Sequence, residues 1–136
     1  MRIALDAMGG DNAPQSVVQG ADIFKAQSQH VEMLFFGDEA RIRPLLDQTK
    51  HLKTAEIIHT LDSVSSGDTA SQAVRRGKQT SMWMAIAAVA DGQAAAVVSA
   101  GNTGALMAMS KLQLRTMPGV TRPAIAGFFP TEQDIM

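Results

Sequence analysis

Apolar positions in this chain follow two spacings that alternate along its length. Compact runs at residues 2–7 (RIALDA), 31–36 (VEMLFF), 55–59 (AEIIH) and 95–98 (AAVV) predict strands, the last of them buried on both faces. Between the runs, apolar residues step by three and four, the period of a helix with one buried stripe. These stripes are Val17, Ala21 and Phe24; then Ile42, Leu45 and Leu46; then Ala105, Ala108, Met109 and Leu112. Residues 81–90 (SMWMAIAAVA) are strong helix formers, separated by Gly77 from a segment at 69–78, and residues 61–68 read as a polar loop. A last strand is expected at 123–129 (PAIAGFF), closed by Pro130.

Local signals place the helix starts. Pro14 suits a first helical turn with Asp11 or Asn12 as cap, and Thr80 or Ser81 caps the helix at 81. Asp38 caps the second helix, although Pro44 is expected to push the true start later. The alternation predicts an α/β fold: an open, mostly parallel sheet with helices on both faces. No repeat, linker or low-complexity tract divides the chain.

Composition narrows the function. The 136 residues, 46% of them hydrophobic, suffice for one real core. Twelve Lys+Arg against 13 Asp+Glu give a net charge of −1, without the basic surplus of a general nucleic-acid binder, so no nucleic-acid partner is expected. The absence of cysteine excludes disulfides, thiolate zinc sites and a cysteine nucleophile, and is compatible with a reducing cytoplasm. Asp6 interrupts the N-terminal apolar stretch, and Asp91-Gly92-Gln93 interrupts residues 82–100, so neither a signal peptide nor a spanning helix is expected.

Two loops of small and polar residues each follow an expected strand: Met8-Gly9-Gly10-Asp11-Asn12-Ala13-Pro14 and Ser99-Ala100-Gly101-Asn102-Thr103-Gly104. Ligands of open parallel sheets bind beyond the carboxyl ends of the strands, so both loops should open onto one edge. A helix N-terminus there offers unpaired amides to an anion. Glycines let the backbone come close, and Asn102 and Thr103 can donate from their side chains. The helix field contributes about 0.3–1 kcal/mol when exposed and up to about 2 when partly buried, so a cation is expected as well. Gly101, Asn102, Thr103 and Gly104 are thus candidates for a phosphate cradle, or simply a tight turn whose residues cap their own helix. Asp6 and Asp11 flank the glycine loop; either could orient a substrate or accept a proton, or serve the backbone as a cap.

Other chemistry finds less support. No G-x-G-x-x-G or G-x-x-x-x-G-K-[ST] occurs, so neither NAD nor a P-loop nucleotide is indicated. His30, His51 and His59 lack metal-ligand spacing, and Ser99 stands outside any G-x-S-x-G elbow. Arg75, Arg76 and Lys78 form the compact basic cluster, suited to a phosphate, to an acidic partner protein, or to a solvated helix face. Arg115 and Arg122 bracket Pro118-Gly119, and either could supply the missing cation. The nine methionines read as core filler.

Taken together, MRIALDAMGGDNAP at the N-terminus, RRGKQTSM from Arg75, VVSAGNTGALMA from Val97 and GVTRPAIAGFFPT from Gly119 resemble the bacterial phosphate acyltransferase family of phospholipid synthesis. The resemblance implies a fold like that of phosphotransacetylases and the isocitrate/isopropylmalate dehydrogenase group. It also implies a cytoplasmic homodimer, peripherally associated with the membrane. Its activity would move a fatty acyl group from acyl carrier protein to inorganic phosphate, giving acyl phosphate. Phosphate is the nucleophile in that reaction, so no serine or cysteine nucleophile, metal or organic cofactor is required. On this reading Gly101, Asn102, Thr103 and Gly104, with Ser99, contact phosphate beside Gly9 and Gly10. Asp11 and Asn12 orient the reacting groups. Arg75, Arg76 and Lys78 meet the carrier protein or the phosphate of its prosthetic arm, and Arg122 is a further cation.

Two departures qualify the resemblance. Residues 67–71 (GDTAS) replace the Lys-Pro-Ser-like wording of the family, so no lysine stands there. Family members are well over twice as long, so residues 1–136 correspond to the N-terminal portion of a single α/β domain. The remainder is expected to complete the sheet, the dimer interface, the membrane-facing helices and part of the active site. Two alternatives stand beside this reading: a phosphotransacetylase acting on coenzyme A thioesters, and a non-catalytic module that keeps only the phosphate pocket. A chain with an unfinished sheet is also expected to self-associate.

Overall fold

The four compact apolar runs form one parallel sheet in a computed structural model that describes residues 1–127. The elements are β1 (Arg2–Asp6), α1 (Gln15–Gln27), β2 (Glu32–Gly37), α2 (Glu39–Gln48), β3 (Glu56–His59), α3 (Ala70–Arg76), α4 (Ser81–Ala90), β4 (Ala96–Ser99) and α5 (Thr103–Leu114). The strand order is β3-β2-β1-β4. The chain therefore winds outward from β1 through β3, then returns to the other side of β1. That reversal makes the β1/β4 boundary the switch point of the sheet, where a crevice opens beyond the strand ends.

Side-chain alternation builds a layer on each face. Leu5, Met33 and Phe35 point to one side and pack on Val18 and Ala21 of α1 and Ile42 and Leu46 of α2. Ala4, Leu34 and Phe36 point to the other and pack on Ala85 and Ala88 of α4. Met82 and Ile86 of α4 then meet Ala73 of α3 and Ala105 and Met109 of α5. Each large apolar side chain so buried contributes about 1.5–3 kcal/mol, which outweighs local helix propensity.

Several expectations need correction. Neither Asp11 nor Asn12 caps α1; Pro14 itself occupies the cap position, without a side-chain cap bond. Val18 and Ala21 are the buried residues of α1, whereas Phe24 is 39% exposed, so the stripe is rotated from the expected one. Pro44 lies inside α2, and the helix starts at Glu39 because Asp38 caps it through the Ala40 amide. Burial of Ile42 and Leu46 compensates for the backbone bond that Pro44 cannot make. Of the two caps expected for α4, Thr80 is the one that serves, accepting from the Trp83 amide.

In α5, Ala105 and Met109 are buried, but Leu112 is 58% exposed because the helix runs past the layer it packs on. β4 is not buried on both faces: Val97 packs toward α4, whereas Val98 is 53% exposed on an open groove of the other face. No strand forms over residues 123–127, and 128–129 lie outside the described residues.

Candidate functional site

The two glycine-containing loops meet at the carboxyl rim of the sheet, on the β1/β4 switch point. Gly10 lies so close to the second loop that an added Cβ would be 3.1 Å from the Ala100 carbonyl oxygen, and its φ of +105° suits glycine. Gly9 is packed more tightly. A Cβ there would sit 2.5 Å from Asp6 Oδ2, 2.8 Å from Ser99 Oγ and 3.0 Å from the Gly101 amide nitrogen. The absence of side chains at Gly9 and Gly10 is thus what lets the loops touch.

Between the loops lies a cleft of about 600 Å³, lined by Met8, Gly10 and Asp11, by residues 100–104, and by Val64, Ser65 and Ser66 from the loop after β3. Three loops therefore converge, not two. Among the described residues, the amides of Gly10, Asp11, Thr103 and Gly104 make no hydrogen bond within the protein. Those of Thr103 and Gly104 belong to the first turn of α5, where helices leave donors open. Thr103 and Gly104 are both exposed. The cleft thus combines open amides, serine and threonine hydroxyls and a helix N-terminus, a donor set suited to an anion.

Asn102 organises this rim. Its Oδ1 accepts from the Ala105 amide at 2.9 Å, capping α5, while Nδ2 donates to the carbonyls of Ser66 (3.1 Å) and Asp68 (2.8 Å). Both side-chain donors of Asn102 are therefore engaged in holding the third loop against α5. Ser99 lies under the rim: its hydroxyl donates to Asp6 Oδ2 at 2.7 Å and accepts from the Gly101 amide at 3.1 Å. Asn12 is exposed beside the cleft lining, and its carbonyl accepts from the Ser16 amide and hydroxyl.

The expected cations are elsewhere. Arg76 pairs with Asp68 at 3.1 Å and donates to the Ser63 carbonyl at 3.5 Å, bracing the loop that lines the cleft. Arg75 and Lys78 are exposed and make no ion pair among the described residues; Arg122 is exposed beyond α5. None of the four lines the cleft. The resolved pKa changes lie at the opposite rim. There Glu32 is held below the usual carboxylate range by its hydrogen bond from Arg2 and then by that residue's charge, and Arg2 is raised in turn.

Ser65 and Ser66 join the site from residues 61–68, a polar loop that follows a strand as the other two loops do. The run Ser65-Ser66-Gly67 carries the same small-residue signature. Among the described residues, no group of three acidic or histidine side chains could hold a metal, and no helix is long and apolar enough to cross a membrane.

A parallel α/β protein with an amide-lined cleft at its switch point is the class that fold and site define. The chain belongs to the fatty acid synthesis protein family, whose model matches residues 1–136. It is 58% identical over 130 residues to a phosphate acyltransferase of Rhodospirillum centenum, covering 95% of this chain and 37% of that protein. Similar proteins of the same name occur in Parvibaculum lavamentivorans, at 55% over 133 residues (96% and 37%), and in Bradyrhizobium diazoefficiens, at 55% over 135 residues (98% and 38%). The chain thus spans less than two-fifths of the length of these curated relatives.

Proposed function

We propose that the chain forms the phosphate-binding part of an acyltransferase that moves a fatty acyl group from acyl carrier protein to inorganic phosphate. Convergence of three post-strand loops on one cleft with open amides carries the reading. The relatives' name, phosphate acyltransferase, specifies the reaction type.

In the reaction, a phosphate oxygen attacks the thioester carbonyl carbon. A C–O bond forms, the C–S bond breaks, and the released thiol takes up the proton that phosphate gives up. Acyl phosphate and free thiol result. The chain's contribution is placement: amides of Thr103 and Gly104, with the Thr103 hydroxyl, hold the phosphate, while Gly9, Gly10 and Gly101, lacking side chains, let the two loops pack together beneath it. Holding the two reactants together removes entropy from the barrier, and fixed donors stabilise the developing charge. Asp11 stands at the rim as an orienting group with Asn12 beside it, whereas Ser99 and Asn102 act from beneath by holding the loops. Exposed Arg75 and Lys78, beside Arg76, offer an acidic carrier protein a basic landing point, with Arg122 as a further contact. Homodimer formation and peripheral membrane contact, in the cytoplasm, complete the proposal for the whole protein.

The test uses a polypeptide of the relatives' full length, incubated with acyl thioester and phosphate, with acyl phosphate trapped by hydroxylamine. Phosphate-dependent hydroxamate and thiol release from acyl carrier protein are expected. Preference for the coenzyme A thioester would favour a phosphotransacetylase, and no product from either donor would favour a non-catalytic module.

A further inference from the structure

Beneath the cleft lies a buried carboxylate that the scheme above leaves without a task. Asp6 ends β1, is 2% exposed, and makes no ion pair among the described residues. Its two oxygens accept from two hydroxyls: Ser81 Oγ at 2.6 Å on Oδ1 and Ser99 Oγ at 2.7 Å on Oδ2. A buried charge is retained only where hydrogen bonds replace its water. Here the donors come from the first residue of α4 and the last of β4.

We propose that Asp6 is the positioning residue of the phosphate site, setting both glycine loops against one carboxylate. A serine has one hydroxyl proton, and Ser99 directs it at Asp6. Ser99 Oγ is left as an acceptor and takes the Gly101 amide, so the carboxylate fixes the turn that leads into α5 and its open amides. The other loop registers on the same atoms: Gly9 lies directly over Asp6 Oδ2 and Ser99 Oγ, without room for a Cβ. Ser81 holds the opposite carboxylate oxygen and does not line the cleft. The two serines therefore differ in one respect: only Ser99 passes the constraint on to the ligand loop. Removal of the Asp6 charge alone would favour an anion nearby, so weaker phosphate binding after its loss reports lost geometry.

The inference rests on reading the cleft as a phosphate site, and the test separates the two. In a full-length polypeptide, S99A and D6N are expected to raise the phosphate KM about tenfold or more, or 1.4 kcal/mol. The acyl-donor KM should stay within twofold. S81A should lower the melting temperature as S99A does while leaving the phosphate KM within twofold, and S99T should restore wild-type behaviour. Equal effects of S81A and S99A on phosphate KM, or no effect of S99A or of D6N, would overturn the proposal. If the wild type makes no acyl phosphate, the acyltransfer reading fails, and phosphorus NMR titration with inorganic phosphate decides this one. Tenfold weaker binding in S99A and D6N, but not in S81A, supports it; equal binding in all, or none by the wild type, overturns it.

Discussion

Replacing Gly9 with alanine tests most sharply how the loops are held together. The new methyl carbon would lie 2.5 Å from Asp6 Oδ2, 2.8 Å from Ser99 Oγ and 3.0 Å from the Gly101 nitrogen. None of these is the free end of a flexible chain: one is a buried carboxylate, one its hydrogen-bonded partner, one backbone. Overpacking of this kind costs about 1–3 kcal/mol. Separating Ser99 from the carboxylate adds about 1.5–3 for a hydrogen bond to a charged group. A loss of about 3 kcal/mol is therefore expected, and with a urea dependence of about 2 kcal/mol per molar the midpoint should fall by about 1.5 M. Gly20 supplies the control, because a Cβ there meets nothing within 4 Å and the position is inside α1. Gly20→Ala should stabilise by about 0.5–1 kcal/mol. A Gly9→Ala midpoint within about 0.2 M of the wild type would refute the packing argument on which the site geometry depends.

Other expectations address separate parts of the molecule. Asn102→Ala removes a cap worth about 1 kcal/mol and two further hydrogen bonds of about 0.5–1.5 each, so a loss of about 2–3 kcal/mol is expected in urea unfolding. Asn102→Asp keeps the cap but turns an acceptor toward two carbonyls; faster hydrogen exchange in residues 65–69 with α5 protected is expected, and uniform exchange would contradict this. Because Glu32 is held low by Arg2, the stabilisation from that pair is present above the ordinary carboxylate range and disappears as pH falls through the lowered value. Glu32→Gln should therefore flatten the acid limb of melting temperature against pH, and an unchanged limb would count against the pair. The uncharged β4 edge, with Val98 53% exposed beside an apolar groove of about 330 Å³ that includes Leu5 and Phe24, should make the isolated chain self-associate. Sedimentation should show concentration-dependent dimers that Val98→Lys reduces; a strict wild-type monomer would refute this.

Much of the architecture could be read from local patterns because local physics decides it. The strands and helices follow from alternating apolar spacings, and Asp38 announces its helix by the bond it makes two residues on. Convergence of the two glycine loops on one rim follows from parallel topology, since both succeed strands. What escaped was long-range. Ser81 meets Asp6 across 75 positions, and Asn102 reaches back more than 30 to clamp the loop at 66–68. No periodicity encodes such pairs, which depend on how the layers stack. Arg76 belongs to a basic cluster suited to a phosphate, a partner protein or a solvated face, yet Asp68, about two helical turns before it, engages it once α3 forms. The exposure of Val98 was also illegible, because a run of apolar residues does not reveal which neighbours will cover it.

The most direct measurement is a crystal structure of the protein grown with inorganic phosphate. The ion should lie in the cleft between residues 10–11 and 101–104, within hydrogen-bond distance of the Thr103 and Gly104 amides. Phosphate bound elsewhere, with those amides turned away from the cleft or taken by other protein groups, would contradict the account.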